Sequence, residues 1–209
     1  MDLRVDMKKG AIVLCGGKSS RMGRDKATLP FGPELMLQRV VRIVSMVVDP
    51  AAVVVVAAPE QMLPELPATV IITRDERPDR GPLEGLAAGL RSMPGIVDAI
   101  YATSCDVPLL IPNFVLEMFQ RLGHHDIAVP WDGQYYHPLA SVYRPQVLPV
   151  VQSLLATDRL RPIFLFEEVS TVKVPVEDLR EFDPTLSTLL NLNHPEDYQA
   201  ALTIAGLAR

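Results

Sequence analysis

The chain has 209 residues, 48% of them hydrophobic and 22% charged, with a formal net charge of −5. That length supports a well-filled core. The acidic balance excludes general nucleic-acid binding, which needs a basic face, but leaves room for a local basic pocket around one anionic ligand. The two cysteines, Cys15 and Cys105, are too few for a disulfide framework and lack metal-ligand spacing.

Met1 to Lys9 is mixed in charge, and the apolar stretch Ala11 to Cys15 is too short for a signal segment and stops at glycines. No apolar run approaches the length that crosses a bilayer. A cytoplasmic protein without a membrane partner is expected. No repeat or linker-like shift interrupts the chain, and its 19 prolines punctuate elements throughout, so one domain over residues 1–209 is expected.

In chain order, Ala11 to Cys15 is a short strand entering a loop at Gly16-Gly17. Leu35 to Val48 has apolar residues at helical spacing, with Gln38, Arg39 and Arg42 on the other side. Ala51 to Ala57, rich in valine between prolines, predicts a strand buried on both faces. Thr69 to Thr73 is a further strand, Pro82 to Met93 a helix, Val97 to Thr103 a strand and Pro112 to Leu122 a helix. Asp126 to Pro130 reads as a strand, and Gln134 to Tyr143 as two strand-like pieces broken at His137-Pro138. Pro145 to Ala156 and Arg161 to Glu168 are helical, and Val169 to Val174 alternates like a strand. Pro195 to Gly206 closes the chain as a helix, with proline, Glu196 and Asp197 suited to its first turn. The alternation predicts an α/β fold: an open, mostly parallel sheet with helices on both faces and a few antiparallel additions.

The densest chemistry lies in Leu14 to Lys26, LCGGKSSRMGRDK, directly after the first strand. Gly16, Gly17 and Gly23 permit close approach of a ligand to the main chain, and successive amides in such a loop can cradle phosphates. Ser19 and Ser20 add donors, while Lys18, Arg21, Arg24 and Lys26 concentrate positive charge. A triphosphate needs that combination. The spacing fits neither a Walker loop nor a dinucleotide fingerprint. Asp25 can pair with Lys26 or Arg21, or stand as a solvated carboxylate.

The second signal is AIYATSCDVPLL, Ala99 to Leu110, where a buried strand runs into Asp106. Ligands of open α/β sheets bind at the carboxyl ends of strands. A hard oxygen ligand beside a triphosphate is a natural holder of Mg2+; an aspartate before a proline turn is also a common cap. Cys105, its neighbour, reads as inert packing. Asp75 to Leu86, DERPDRGPLEGL, opens a helix at Gly81-Pro82, and a helix N-terminus favours an anion. Asn191 to Asp197, NLNHPED, precedes the last helix, where asparagine is also a routine cap.

Taken together, LxGGxSxRMGxDK followed by Leu29 to Phe31, the strand-S-x-D-x-P setting of Asp106, the D…GPLEGL segment and NLNHPED resemble the molybdenum cofactor guanylyltransferases. The resemblance spans nearly the whole chain and is loosest after about Gln134. It implies a Rossmann-like, nucleotide-diphospho-sugar transferase fold. The implied reaction is GTP plus molybdopterin giving molybdopterin guanine dinucleotide and pyrophosphate, with Mg2+ as cofactor and no protein nucleophile. By the resemblance, Leu14, Cys15, Gly16 and Gly17 meet base and ribose, Arg21 and Lys26 hold phosphates, Asp75 contacts nucleotide and Asp106 carries the metal. Asn193 falls near the metal or acceptor with Asn191 beside it, and His137 on the acceptor side. Arg159 and Arg161 lie in a stretch that in relatives helps receive the pterin phosphate. Departures are Cys15 for the usual alanine, Glu84 for alanine and His194 for threonine. Transient contact with other cofactor-biosynthesis or acceptor proteins is compatible with the resemblance. Three alternatives stay open: a nucleotidyltransferase using CTP or another nucleotide on a different phosphate, a nucleotide-binding regulator without turnover, and a dinucleotide oxidoreductase, which the glycine spacing disfavours.

Overall fold

The computed structural model describes residues 7–16, 25–75, 77, 80–93, 95 and 97–208. Seven strands form one sheet: β1 (Lys9–Leu14), β4 (Val53–Ala57), β5 (Ile71–Arg74), β6 (Ala99–Ser104), β7 (Ile127–Trp131), β8 (Ser141–Tyr143) and β9 (Thr171–Pro175). Their order is β5-β4-β1-β6-β8-β7-β9. The pairs β5–β4, β4–β1, β1–β6 and β7–β9 are parallel, and β8 runs antiparallel between β6 and β7. The expected mostly parallel α/β sheet is therefore present, with β8 as its antiparallel insertion.

Side-chain alternation along the strands divides the core between two faces. Ala11, Val13, Val53, Val55, Ala99 and Tyr101 pack under α1 (Met36–Val44) and α3 (Pro112–Arg121). Ile12, Leu14, Val54, Val56, Ile100 and Ala102 pack under α2 (Pro82–Ser92), α4 (Leu148–Ala156) and α5 (Pro162–Glu168). Because both faces are covered, β4 can be uninterrupted valine, and each such residue taken from water contributes about 1.5–3 kcal/mol. A small hairpin, β2 (Pro30–Phe31) with β3 (Glu34–Leu35), turns at Gly32, whose φ of +70° suits glycine. It joins α6 (Pro195–Ile204) in a third cluster containing Phe31, Met36, Leu192 and Ala201.

The sequence expectations differ from the structure in three places. The hairpin is too short for a periodicity signal. The segment Gln134 to Tyr143 yields one strand, not two: only Ser141–Tyr143 pairs, and Pro138–Ala140 forms a 3-10 turn that packs against β6. Proline supplies no N–H to a ladder, so the chain turns there; a single bridge, Trp131 to Tyr136, is left of the other piece. The first helix ends at Val44, and Ser45 to Val48 continue as turns.

Helix α2 approaches β1 closely because two small residues face it. A Cβ at Gly89 would fall 2.7 Å from the Ile12 side chain, and one at Gly85 would fall 3.0 Å from Leu14 Cδ2. Gly89→Ala should therefore destabilise the fold by about 1–3 kcal/mol, the usual range for overpacking. The midpoint of urea unfolding measures it, and an unchanged midpoint would mean that α2 can shift off β1 at no cost.

Candidate active site

The parallel strands β1, β4 and β6 end at the same edge of the sheet, and the main chain locks those ends together. Cys105 N donates to Leu14 O at 2.9 Å and Cys15 N to Val56 O at 2.8 Å. Asp106 follows β6 directly. Its Oδ1 accepts from the Ser104 hydroxyl, and its Oδ2 lies 2.8 Å from Lys26 Nζ, both side chains being about 15% exposed. The same ammonium donates to Asn193 Oδ1 at 2.9 Å. Residues 26, 106 and 193 thus meet around one positive charge.

Each of the three is positioned by its own local structure. Lys26 begins a 3-10 turn, Lys26–Thr28, whose cap is Asp25: Oδ1 accepts from Ala27 N at 2.9 Å. Asn193 is brought in by Leu192, which is buried and whose N–H donates to Asp106 O at 3.0 Å. Asp197, in the first turn of α6, accepts from Asn193 N at 3.0 Å and His194 N at 2.8 Å. These two amides hold the Asp197 carboxyl below its ordinary pKa. Asn193 precedes His194, the N-cap of α6, so its side chain lies outside the helix start and reaches Lys26.

A second group lies where β1, β4 and α2 converge. Asp75 follows β5, with its N–H donating to Ala57 O at 2.9 Å. A Cβ at Gly16 would fall 2.9 Å from Asp75 Oδ2, and one at Gly85 3.5 Å from Oδ1, so both glycines leave the carboxylate open. Burial, and then the negative charge of Glu84, raise the Asp75 pKa. Oδ1 is buried without a hydrogen-bond partner. Cys15 and Cys105 are both buried free thiols; a hydrogen bond between them, followed by burial, pushes the Cys15 thiol well above its ordinary pKa.

Gln61 is a residue that the sequence reading did not single out. Its Nε2 donates to Cys15 O at 3.2 Å and to Asp25 at 3.0 and 2.8 Å, and its Oε1 accepts from Ala58 N at 3.1 Å. One amide therefore touches both the entry and the exit of the glycine-basic loop. Arg74 braces it from behind, donating to Ala58 O at 2.6 Å and Gln61 O at 3.1 Å. A polar residue after Pro59-Glu60 carries no signal of this in sequence. Asp25 accordingly takes an amide and a backbone N–H and is not a plain solvated carboxylate; its alternative partner Arg21 lies outside the described residues.

Gly17 and Arg21 lie outside the described residues. Asn191 is exposed and makes no side-chain hydrogen bond among the described residues. His137 is partly buried, its Nε2 3.5 Å from Asp132 Oδ2; burial lowers its pKa and Asp132 only partly offsets this. His137 precedes the 3-10 turn that packs against β6, and it makes no hydrogen bond or ion pair with Lys26, Asp106 or Asn193. Arg159 is occupied by Glu168 at 2.7 Å and stacks over Phe164 at 4.6 Å, while Arg161 is exposed before α5. Among the described residues no three His, Cys, Asp or Glu side chains cluster as a metal site, and no helix is long and apolar enough to cross a membrane.

Comparison with known proteins places this geometry in context. The family described as MobA-like NTP transferase domain matches residues 11–172. A protein of Methanosarcina mazei named "Probable molybdenum cofactor guanylyltransferase" is 33% identical over 202 residues, covering 91% of this chain and 88% of its own. One of Mycobacterium avium with the same name is 40% identical over 156 residues, covering 72% of this chain and 76% of its own. The solved structure of molybdopterin-guanine dinucleotide biosynthesis protein A from Archaeoglobus fulgidus superposes with a TM-score of 0.75 at 23% identity, covering 95% of this chain and 98% of that one. That structural likeness is one of fold.

The Gln61 contacts can be tested without any ligand. Gln61→Glu sets a carboxylate against that of Asp25 and should cost about 1–3 kcal/mol of stability in denaturant unfolding at neutral pH. Adding Asp25→Asn exchanges donor and acceptor and should recover most of the loss. Additive losses in the double variant would show that the two side chains are not coupled.

Proposed function

The chain belongs to the family of MobA-like NTP transferase domains, and from that premise we propose that it transfers GMP from GTP to the terminal phosphate of molybdopterin, releasing pyrophosphate. It is a nucleotidyltransferase, and its relatives' names supply the nucleotide and the acceptor. The observation that carries the reading on this chain's own residues is the meeting of Lys26, Asp106 and Asn193 at the carboxyl end of β6.

The reaction needs positioning and charge neutralisation, and no covalent intermediate on the protein. An oxygen of the acceptor phosphate forms a bond to the α-phosphorus of GTP. The bond from that phosphorus to the α–β bridging oxygen breaks, and its electrons leave on pyrophosphate. Lys26 supplies positive charge to the phosphates, together with Arg21 from the glycine-basic loop. The main chain of Leu14, Cys15, Gly16 and Gly17 receives base and ribose, and Asp75 accepts from the nucleotide. Asn191, Asn193 and His137 are assigned to the acceptor side.

The donor set at this edge also fits a divalent cation. Asp106 Oδ2 and Asn193 Oδ1 already converge on one cationic group, at 2.8 and 2.9 Å from the Lys26 nitrogen. A single carboxylate with neutral oxygens is the protein contribution that Mg2+ takes when substrate phosphates complete its shell. Asp106, with Asn193 beside it, would hold Mg2+, which when bound neutralises charge on the phosphates. The ion pair compensates both charges, and with a cation on Asp106 the Lys26 ammonium would be available to the triphosphate. Two buried free thiols accord with a reducing cytoplasmic setting.

Two measurements test the reading. Asp106→Asn should lower pyrophosphate release from GTP and molybdopterin by about a hundredfold or more, the scale of losing one preorganised electrostatic group, while the thermal unfolding midpoint stays close to that of the parent. A variant with the parent rate would overturn the assignment of Asp106. With magnesium present, GTP should bind more tightly than ATP, CTP or UTP in equilibrium titration, and tighter CTP binding would redirect the reading to a cytidylyltransferase.

A further inference from the structure

The first turn of α2 carries a carboxylate to which the reaction above gives no task. Glu84 is 1% exposed, and a charge that deep persists only with partners. Its partners are two arginines of the preceding loop. Arg77 Nη2 lies 3.1 Å from Oε2 and 3.4 Å from Oε1; Arg80 Nε lies 3.5 Å from Oε2. Arg80 is fixed further, donating to Leu155 O at 2.6 Å and lying 3.2 Å from Asp158. The Arg77 side chain is 51% exposed, and Glu84 is its sole side-chain partner among the described residues.

Asp75 belongs to the same loop and remains unpaired. Among the described residues it has no ion pair and no side-chain hydrogen bond, and its Oδ1 is buried with an unfilled acceptor position. Gly16 and Gly85 keep the space beside it open. A carboxylate only accepts hydrogen bonds. Guanine offers adjacent donors, N1–H and the N2 amine, whereas adenine lacks the N2 amine and has an acceptor at N1. An unpaired carboxylate therefore favours guanine, and a guanidinium placed on it would fill the acceptor positions that the base needs.

We propose that Glu84 is a positioning residue for base recognition: it holds Arg77, and Arg80 with it, so that Asp75 keeps a free carboxylate for the guanine edge. The proposal rests on the GTP reading above. Without Glu84, the guanidinium of Arg77 turns to the unpaired carboxylate two residues before it. Arg77 then acts as an internal competitor of the base, and removing it as well relieves the competition.

The test is equilibrium binding of GTP and of ATP, with magnesium, to the purified full chain in four forms: parent, Glu84→Ala, Arg77→Ala and the double variant. Glu84→Ala should lower the GTP-to-ATP preference by about tenfold, the scale of losing a hydrogen bond to a charged group. Arg77→Ala alone should leave the preference unchanged, and the double variant should return it to near the parent ratio. A purely structural role for Glu84 predicts no such rescue. Thermal unfolding establishes that each variant is folded, and Glu84→Gln, which keeps the shape and removes the charge, replaces the alanine variant if that one does not fold. Retention of the preference in Glu84→Ala, or its loss without rescue by Arg77→Ala, overturns the proposal. A parent protein that binds GTP no better than ATP overturns the GTP reading itself and takes the proposal with it, so the two failures are told apart by the parent alone.

Discussion

Lys26 and Asp106 stand 2.8 Å apart although 80 residues separate them in the chain. The pair lies at the end of a buried strand, where a lone carboxylate would be pushed toward its neutral form and a lone ammonium would lose hydration without compensation. Together they compensate one another, and Asn193, 167 residues from Lys26, is drawn to the same point. The rest of the site is arranged to keep that meeting in place. Asp25 caps the turn that begins with Lys26, Gln61 holds Asp25, Ser104 holds Asp106, and Leu192 and Asp197 hold the backbone on either side of Asn193.

The parallel sheet makes this possible. Parallel strands bring their carboxyl ends to one edge, where the ladder stops and the chain must turn out into loops. Here the last ladder bonds of β1 with β4 and β6 run through Cys15 and Cys105, so the backbone that enters the glycine-basic loop is anchored on both sides. Asp106 directly follows the Cys105 anchor, and Lys26 returns to it from the far end of the glycine-basic loop.

The candidate site divides into two parts with different physics. On the β6 side, cationic and oxygen-donor groups compensate one another and are ready to exchange partners. On the α2 side, close packing of Gly85 and Gly89 against β1 leaves Asp75 open, while Glu84 engages the nearby arginines. Charge balance governs the first part, and the withholding of charge balance governs the second. The second part relies on glycines, because an added methyl group would fall 2.9 Å from the Asp75 carboxylate at Gly16, 3.0 Å from the Leu14 side chain at Gly85 and 2.7 Å from the Ile12 side chain at Gly89.

Periodicity and motif made much of this legible before any coordinates. The valine-rich β4, the amphipathic α1 and the proline-led α3 and α6 announced themselves, because burial on one or two faces is written directly into residue order. Leu14, Gly16, Lys26, Asp75 and Asp106 could be named from their motifs, since each is local to a strand end or a glycine turn. What residue order does not contain is distance between segments. Nothing in Pro59-Glu60-Gln61 shows that an amide will span Cys15 and Asp25, and nothing in NLNHPED shows that Asn193 will meet Lys26. Glu84 reads as an added negative charge until its two arginines are seen around it. Residue order specifies the strand and helix alphabet and the chemistry available at each loop. Which charges neutralise one another and which are left open is set by folding, because that depends on contacts made across the sheet edge by residues far apart in the chain.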